Sequence, residues 1–106
     1  MPKYLISASY SAEGLRGLQR DKASGRLAAV TTAVEGVGGK IESLYYALGE
    51  DDVYVIVELP DNVSAAALGI AVSAAGLVRT RTTALMTVEE VDRAPEKSVN
   101  YRAPGR

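Results

Sequence analysis

A carboxylate set in an apolar strand is the most chemically suggestive feature of this sequence. Glu58 sits near the end of the run Val53-Tyr54-Val55-Ile56-Val57-Glu58-Leu59. Alternation along an extended chain groups Glu58 with Tyr54 and Ile56, opposite Val53, Val55 and Val57. A carboxylate partly desolvated on that face could serve as a general acid or base. Paired with Arg79 or Arg81, or simply solvated, the same residue would have only a structural role. Tyr45, Tyr46 and Tyr54 lie on two adjacent strands, and their phenol hydroxyls could meet a ligand bearing oxygen or an aromatic ring. Ordinary packing is the favoured account of them, because tyrosine fits sheets well and this chain has no Phe or Trp to fill space. Arg79, Thr80, Arg81 and Thr82 alternate along a later strand, so one pair must face the open side of a sheet. The arginine pair there would suit a carboxylate or phosphate, through the planar fork of guanidinium. The threonine pair there would make a neutral polar site, with the arginines guarding a sheet edge instead. Ser7 and Ser9 stand opposite Ile6 and Ala8, and either leave room for a ligand or fit close beneath a helix.

Counting removes much of the usual catalytic machinery. The 106 residues include no His and no Cys. There is accordingly no imidazole base or haem ligand, no thiolate nucleophile, no cysteine zinc site and no disulfide framework. Twelve Lys and Arg against 13 Asp and Glu give a formal charge of −1, which argues against nucleic acid as a partner. Gly36-Val37-Gly38-Gly39 is not a phosphate loop, because its glycines follow a helical stretch and precede a strand. Glu50, Asp51 and Asp52 could bind a hard cation, but the spacing of a calcium loop is missing and a solvated hairpin explains them better. Neither a metal nor a cofactor is expected. The N-terminus has no leader-like apolar run and no stretch is long enough to span a bilayer, so the expectation is a cytoplasmic protein without a membrane partner.

These residues must be positioned by a short series of elements. Lys3 to Tyr10 alternates as a strand. Ser11 is a candidate N-cap, but Gly14 and Gly17 predict a frayed segment, with the stronger helix starting near Ser24. Leu27, Val30, Val34 and Val37 form its apolar stripe, and the glycines that follow end it. Lys40 to Leu48 and Val53 to Leu59 read as a hairpin, with Ile41, Ser43, Tyr45 and Ala47 sharing one face of its first strand. Pro60 ends the second strand, and Asp61 or Asn62 caps an Ala-rich helix over 63–75. Val78 to Thr87 is the last strand. Residues 1–87 make one domain, and 88–106 form a tail with a short helical turn. The order strand–helix–strand–strand–helix–strand predicts an α+β, ferredoxin-like fold, with a four-stranded antiparallel sheet and two helices on one face. The other sheet face, bearing Tyr54 and Ile56, is bare in a monomer and reads as a partner surface.

The run Gly38-Gly39-Lys40, Tyr45, Leu48-Gly49, Asp52-Val53, Glu58, Pro60-Asp61 and Gly76 with Val78-Arg79-Thr80-Arg81-Thr82 resembles the GYD-domain proteins, small bacterial proteins of largely unassigned function. The resemblance implies a fold of the dimeric α/β-barrel type, in which two sheets pack face to face around a cavity. It departs at one position, where Asp51 stands in place of the tyrosine of the family's Gly-Tyr-Asp motif. The expected function is a soluble homodimer or higher homo-oligomer that binds a small molecule between its sheets. Cofactor-independent catalysis there would rest on Glu58 as base and Tyr45 or Tyr54 as hydrogen-bond donor. Ser7, Arg79, Thr80, Arg81 and Thr82 are the candidate ligand contacts. The alternative is a non-catalytic regulatory or structural oligomer whose sheet face is only a subunit interface.

Overall fold

The computed structural model describes residues 1–106. Its elements run β1 (Lys3–Tyr10), α1 (Ala12–Gly36), β2 (Lys40–Tyr46), β3 (Val53–Glu58), α2 (Asn62–Ala74), β4 (Val78–Leu85) and α3 (Val88–Arg93), with a single 3-10 turn over Ala94–Glu96. The four strands form one antiparallel sheet in the order β2-β3-β1-β4. The protein is thus α+β, with three helices rather than two because the tail contributes α3.

The valine alternation of β3 decides which face is inside. Val53, Val55 and Val57 are buried together with Tyr4 and Ala8 of β1, Val34 of α1, and Ala65 and Leu68 of α2. Both long helices therefore cover the same sheet face. Leu59, just past β3, is fully buried in the same cluster.

Three local expectations are corrected. First, α1 begins at Ala12, because Ser11 caps it by accepting from the Gly14 N–H. Gly14 does not fray this turn but enables it. A Cβ there would collide with the Leu77 carbonyl oxygen, the group to which the Ser11 N–H also donates at 2.9 Å. The helix is interrupted at Lys22 (φ 62°, ψ 168°), so the segment expected to start near Ser24 is its second half. Second, Leu27 is 42 % exposed, whereas Val30, Val34 and Val37 do meet the core. Third, β2 does not alternate strictly. A bulge between Ile41 and Ser43 inserts one residue and shifts the phase. Leu44 and Tyr46 thereby join Ile41 on the helix side, and Ser43 and Tyr45 face out.

The ends of elements follow local chemistry. Gly38, at φ 83°, takes the left-handed conformation that closes the end of α1. Asp61 caps α2, its carboxylate accepting from the Ser64 N–H at 2.8 Å and the Ser64 hydroxyl at 2.9 Å. Thr87 and Glu90 form a reciprocal capping box at α3. No residue of α3 is buried. The radius of gyration is 17.1 Å, against roughly 13 Å for a compact chain of this length, so the molecule is elongated. No helix is long and apolar enough to cross a membrane.

Two outcomes follow for stability. Leu59→Ala should cost about 2–5 kcal/mol, the range for emptying a filled leucine site, measured by urea unfolding. The backbone and hydroxyl bonds from Ser64 hold the Asp61 carboxyl below the ordinary carboxylate range. The stability this supplies is present above the unfolded-state pKa and is lost as pH falls through the lower folded value. Asp61→Asn, which caps without titrating, should therefore flatten part of the acid limb of the stability–pH curve; an unchanged limb would deny the carboxylate this role.

Candidate functional site

Strand pairing draws half of the sequence candidates into one row. Tyr45 of β2 lies opposite Tyr54 of β3, Tyr54 opposite Ser7 of β1, and Ser7 opposite Arg81 of β4. All four are on the face away from the helices, because their neighbours in each strand line the core. Tyr45 and Arg81 are exposed at the two edges, Tyr54 is half-exposed, and Ser7 is buried between its neighbours. Arg79 is on the same face as Arg81, two residues along β4. The arginine pair, not the threonine pair, therefore faces the open side.

Beside the row, at one end of the strands, the β2–β3 connection folds against the sheet. The Asp52 N–H donates to the Ala8 carbonyl at 2.8 Å, and its carboxylate accepts from the Tyr10 N–H at 2.8 Å. This clamp sets Asp51 against the open face, where it is only 7 % exposed. The Asp51 carboxylate accepts from the Ser9 hydroxyl at 3.1 Å, from the Tyr54 hydroxyl at 3.4 Å and from Arg81 Nη2. The solvated-hairpin expectation is therefore overturned for Asp51. Three donors compensate a carboxylate that would otherwise be costly to remove from water. The arrangement also does something chemical. Asp51 takes the Tyr54 proton-bearing hydroxyl as a donor, which leaves the phenol oxygen free to accept, and it turns the Arg81 guanidinium toward the row.

Glu58 is elsewhere. It lies opposite Lys3 and Lys40 in the register and pairs with Lys40 at 3.4 Å rather than with Arg79 or Arg81. Lys3 in turn pairs with Glu42 at 2.9 Å. The Glu42 bond holds the Lys3 ammonium above its usual range against the effect of desolvation, with the charges of Glu42 and Glu58 adding to it. Four residues of strand separate Glu58 from Tyr54, about 13 Å, so in one chain Glu58 and the tyrosine–arginine row are distinct places. Thr80 and Thr82 are on the opposite face, lining a cavity beneath the helices together with Tyr46.

Residues 4–94 match the family model of the GYD domain. The chain belongs to the GYD domain family. No functionally curated protein matches it. In this GYD-domain chain the position read as the motif's tyrosine holds Asp51, the residue gathered into the Ser9–Tyr54–Arg81 cluster. Periodicity could not have found it, because a connecting loop has no strand phase. The available signal was three consecutive acids after Gly49, which read as exposed when taken together.

The cluster can be tested as a unit. A double-mutant cycle with Asp51→Asn and Arg81→Gln should give a coupling of about 1 kcal/mol, kept modest because the guanidinium is largely in solvent. Additive losses in urea unfolding would mean that the two side chains do not cooperate.

Proposed function

We propose that this GYD-domain protein self-associates through its open sheet face and binds a small molecule in the cavity enclosed between two sheets. In this reading the βαββαβ order and the β2-β3-β1-β4 sheet make a ferredoxin-like fold that dimerises in the α/β-barrel manner. The observation that carries it is the row Tyr45–Tyr54–Ser7–Arg81 on a face that no helix covers, with Ile56 and Leu5 beside it. Two tyrosine rings, a serine and a guanidinium held by Asp51 form a mixed aromatic and cationic surface. Such a surface suits a small molecule with an aromatic or other unsaturated body and an anionic oxygen group. Arg79 adds a second cation on the same side. Chemistry at this site would use Tyr54 as the hydrogen-bond donor or acceptor and needs no cofactor. Glu58, held by Lys40 at the other end of β3, contributes only if the second copy of the chain brings it across from the opposing sheet.

The elongated shape supports a second copy as the occupant of this face. Val88 and Val91 on α3, and Val99 and Tyr101 in the tail, are exposed in the single chain. A protruding arm with apolar residues on it is suited to a neighbouring subunit.

Native mass spectrometry of the full chain purified from its own source tests this reading. A dimer carrying an additional small mass is the expected result. Ile56→Lys, which would bury an unpaired ammonium between the sheets, should shift the population to monomer while leaving the circular dichroism spectrum of the fold intact. A wild-type monomer, or an Ile56→Lys variant that assembles as well as wild type, would overturn the proposal. An assembled but ligand-free protein, unresponsive to aromatic carboxylates or phosphates, would support the interface-only alternative.

A further inference from the structure

The open face is not the only place shaped to receive a small molecule. Between the sheet and the two long helices lies a cavity of about 120 Å³. α1 lies chiefly over β2 and α2 over β4, and residues of both helices line the cavity. Most of its wall is apolar, including Val30 of α1, Val55 of β3, and Leu68 and Val72 of α2. A dry cavity of roughly 150 Å³ accommodates a benzene ring, so this one is close to the size of a single ring or a short branched chain.

Five polar side chains break the apolar lining: Arg26, Tyr10, Tyr46, Thr80 and Thr82. The Arg26 Nε–H is buried and has no hydrogen-bond partner. A buried cationic donor without an acceptor is unusual, because its desolvation goes uncompensated. Nearby is the Tyr46 hydroxyl. Burial pushes its pKa up to about 12, the adjacent Tyr10 hydroxyl adds to this, and the Arg26 charge opposes it. Tyr46 is therefore a protonated donor at neutral pH. The unpaired Arg26 Nε–H at the wall of an apolar cavity lacks an anionic acceptor attached to an apolar body, and the Tyr46 hydroxyl, which interacts with that of Tyr10, stands close to it.

We propose that the helix–sheet cavity binds a small apolar carboxylic acid, its ring or branched chain among Val30, Val55, Leu68 and Val72 and its carboxylate on Arg26, with Tyr46 as a second donor. The carboxylate completes the guanidinium with a charge-assisted hydrogen bond. The site belongs to a single chain and lies on the opposite side of the sheet from the Tyr54–Arg81 row. It needs no second subunit, so failure of assembly leaves it standing.

The test uses the full chain and two probes observed by fluorine NMR, 4-fluorobenzoate and neutral fluorobenzene. Saturable binding of 4-fluorobenzoate is expected. Arg26→Gln should weaken it about tenfold or more, the loss for one hydrogen bond to a charged group. Fluorobenzene binding should change by less than about twofold in that variant, because its ring lies among the apolar residues and carries no anionic acceptor for Arg26. Arg26→Lys should restore part of the benzoate affinity, and Tyr46→Phe should weaken benzoate alone. Val72→Phe, which fills the cavity, should abolish both probes; if that variant does not fold, Ala33→Leu from the opposite wall replaces it. Unsaturable binding of 4-fluorobenzoate to folded wild type, equal affinity in Arg26→Gln, or retention of both probes by a folded cavity-filled variant would overturn the proposal.

Discussion

Three valines on one strand govern the rest of the molecule. β3 is hydrogen-bonded to a strand on each side, so its register is shared by the sheet. Val53, Val55 and Val57 are 6 %, 5 % and 0 % exposed, and burying each stabilises the fold by about 1.5–3 kcal/mol. A slip of one residue would turn Tyr54, Ile56 and Glu58 beneath the helices and bring the valines into solvent. It would also place a carboxylate in an apolar core, a change costing several kcal/mol. The outward residues are therefore outward because the valines are inward. Their spacing relative to β1 and β2 is then set by pairing, and the row from Tyr45 to Ser7 is a consequence of that register. No separate interaction is needed to bring it together.

Asp51 extends this order beyond the strands. Its donors come from β1, β3 and β4, as Ser9, Tyr54 and Arg81. A single side chain from the hairpin thus ties three strands at one end of the open face. The carboxylate is nearly enclosed while the Arg81 side chain is 69 % exposed. The net contribution to stability is therefore moderate, since solvent screens one partner and desolvation penalises the other. What the contact supplies is orientation. It gives the exposed Arg81 side chain a preferred direction and gives the Tyr54 hydroxyl an acceptor.

What could be read from the sequence was local, and what could not was relational. The β3 faces, the Ser11 cap and the Asp61 cap all rest on residues within a few positions of one another, where period and capping chemistry apply directly. The phase of β2 was misread because one extra residue at Glu42 reverses every side chain after it, and a bulge has no local composition that marks it. The Lys22 interruption likewise sits in a stretch without Gly or Pro at the break. Asp51 escaped because its partners Ser9 and Arg81 are 42 and 30 positions away in the sequence. The partner of Glu58 depended on which strands are adjacent. With β2 beside β3 and β4 beyond β1, Lys40 is in reach and the arginines are not.

The geometry also divides what the sequence had grouped. Arg79, Thr80, Arg81 and Thr82 are consecutive, and consecutive residues on a strand cannot serve one pocket. The arginines join Tyr45, Tyr54 and Ser7 on the open face, while the threonines line the helix-side cavity with Arg26 and Tyr46. Glu58 falls outside both, in a lysine-rich corner at the far end of β3. Eight candidate residues thus separate into three environments: an aromatic and cationic row, an apolar cavity bordered by the unpartnered Arg26 Nε–H, and an ion-paired carboxylate. A ligand held by the first cannot touch the second, because the sheet backbone stands between them. All four strands form the shared wall, each presenting one residue to the row and its neighbour to the cavity.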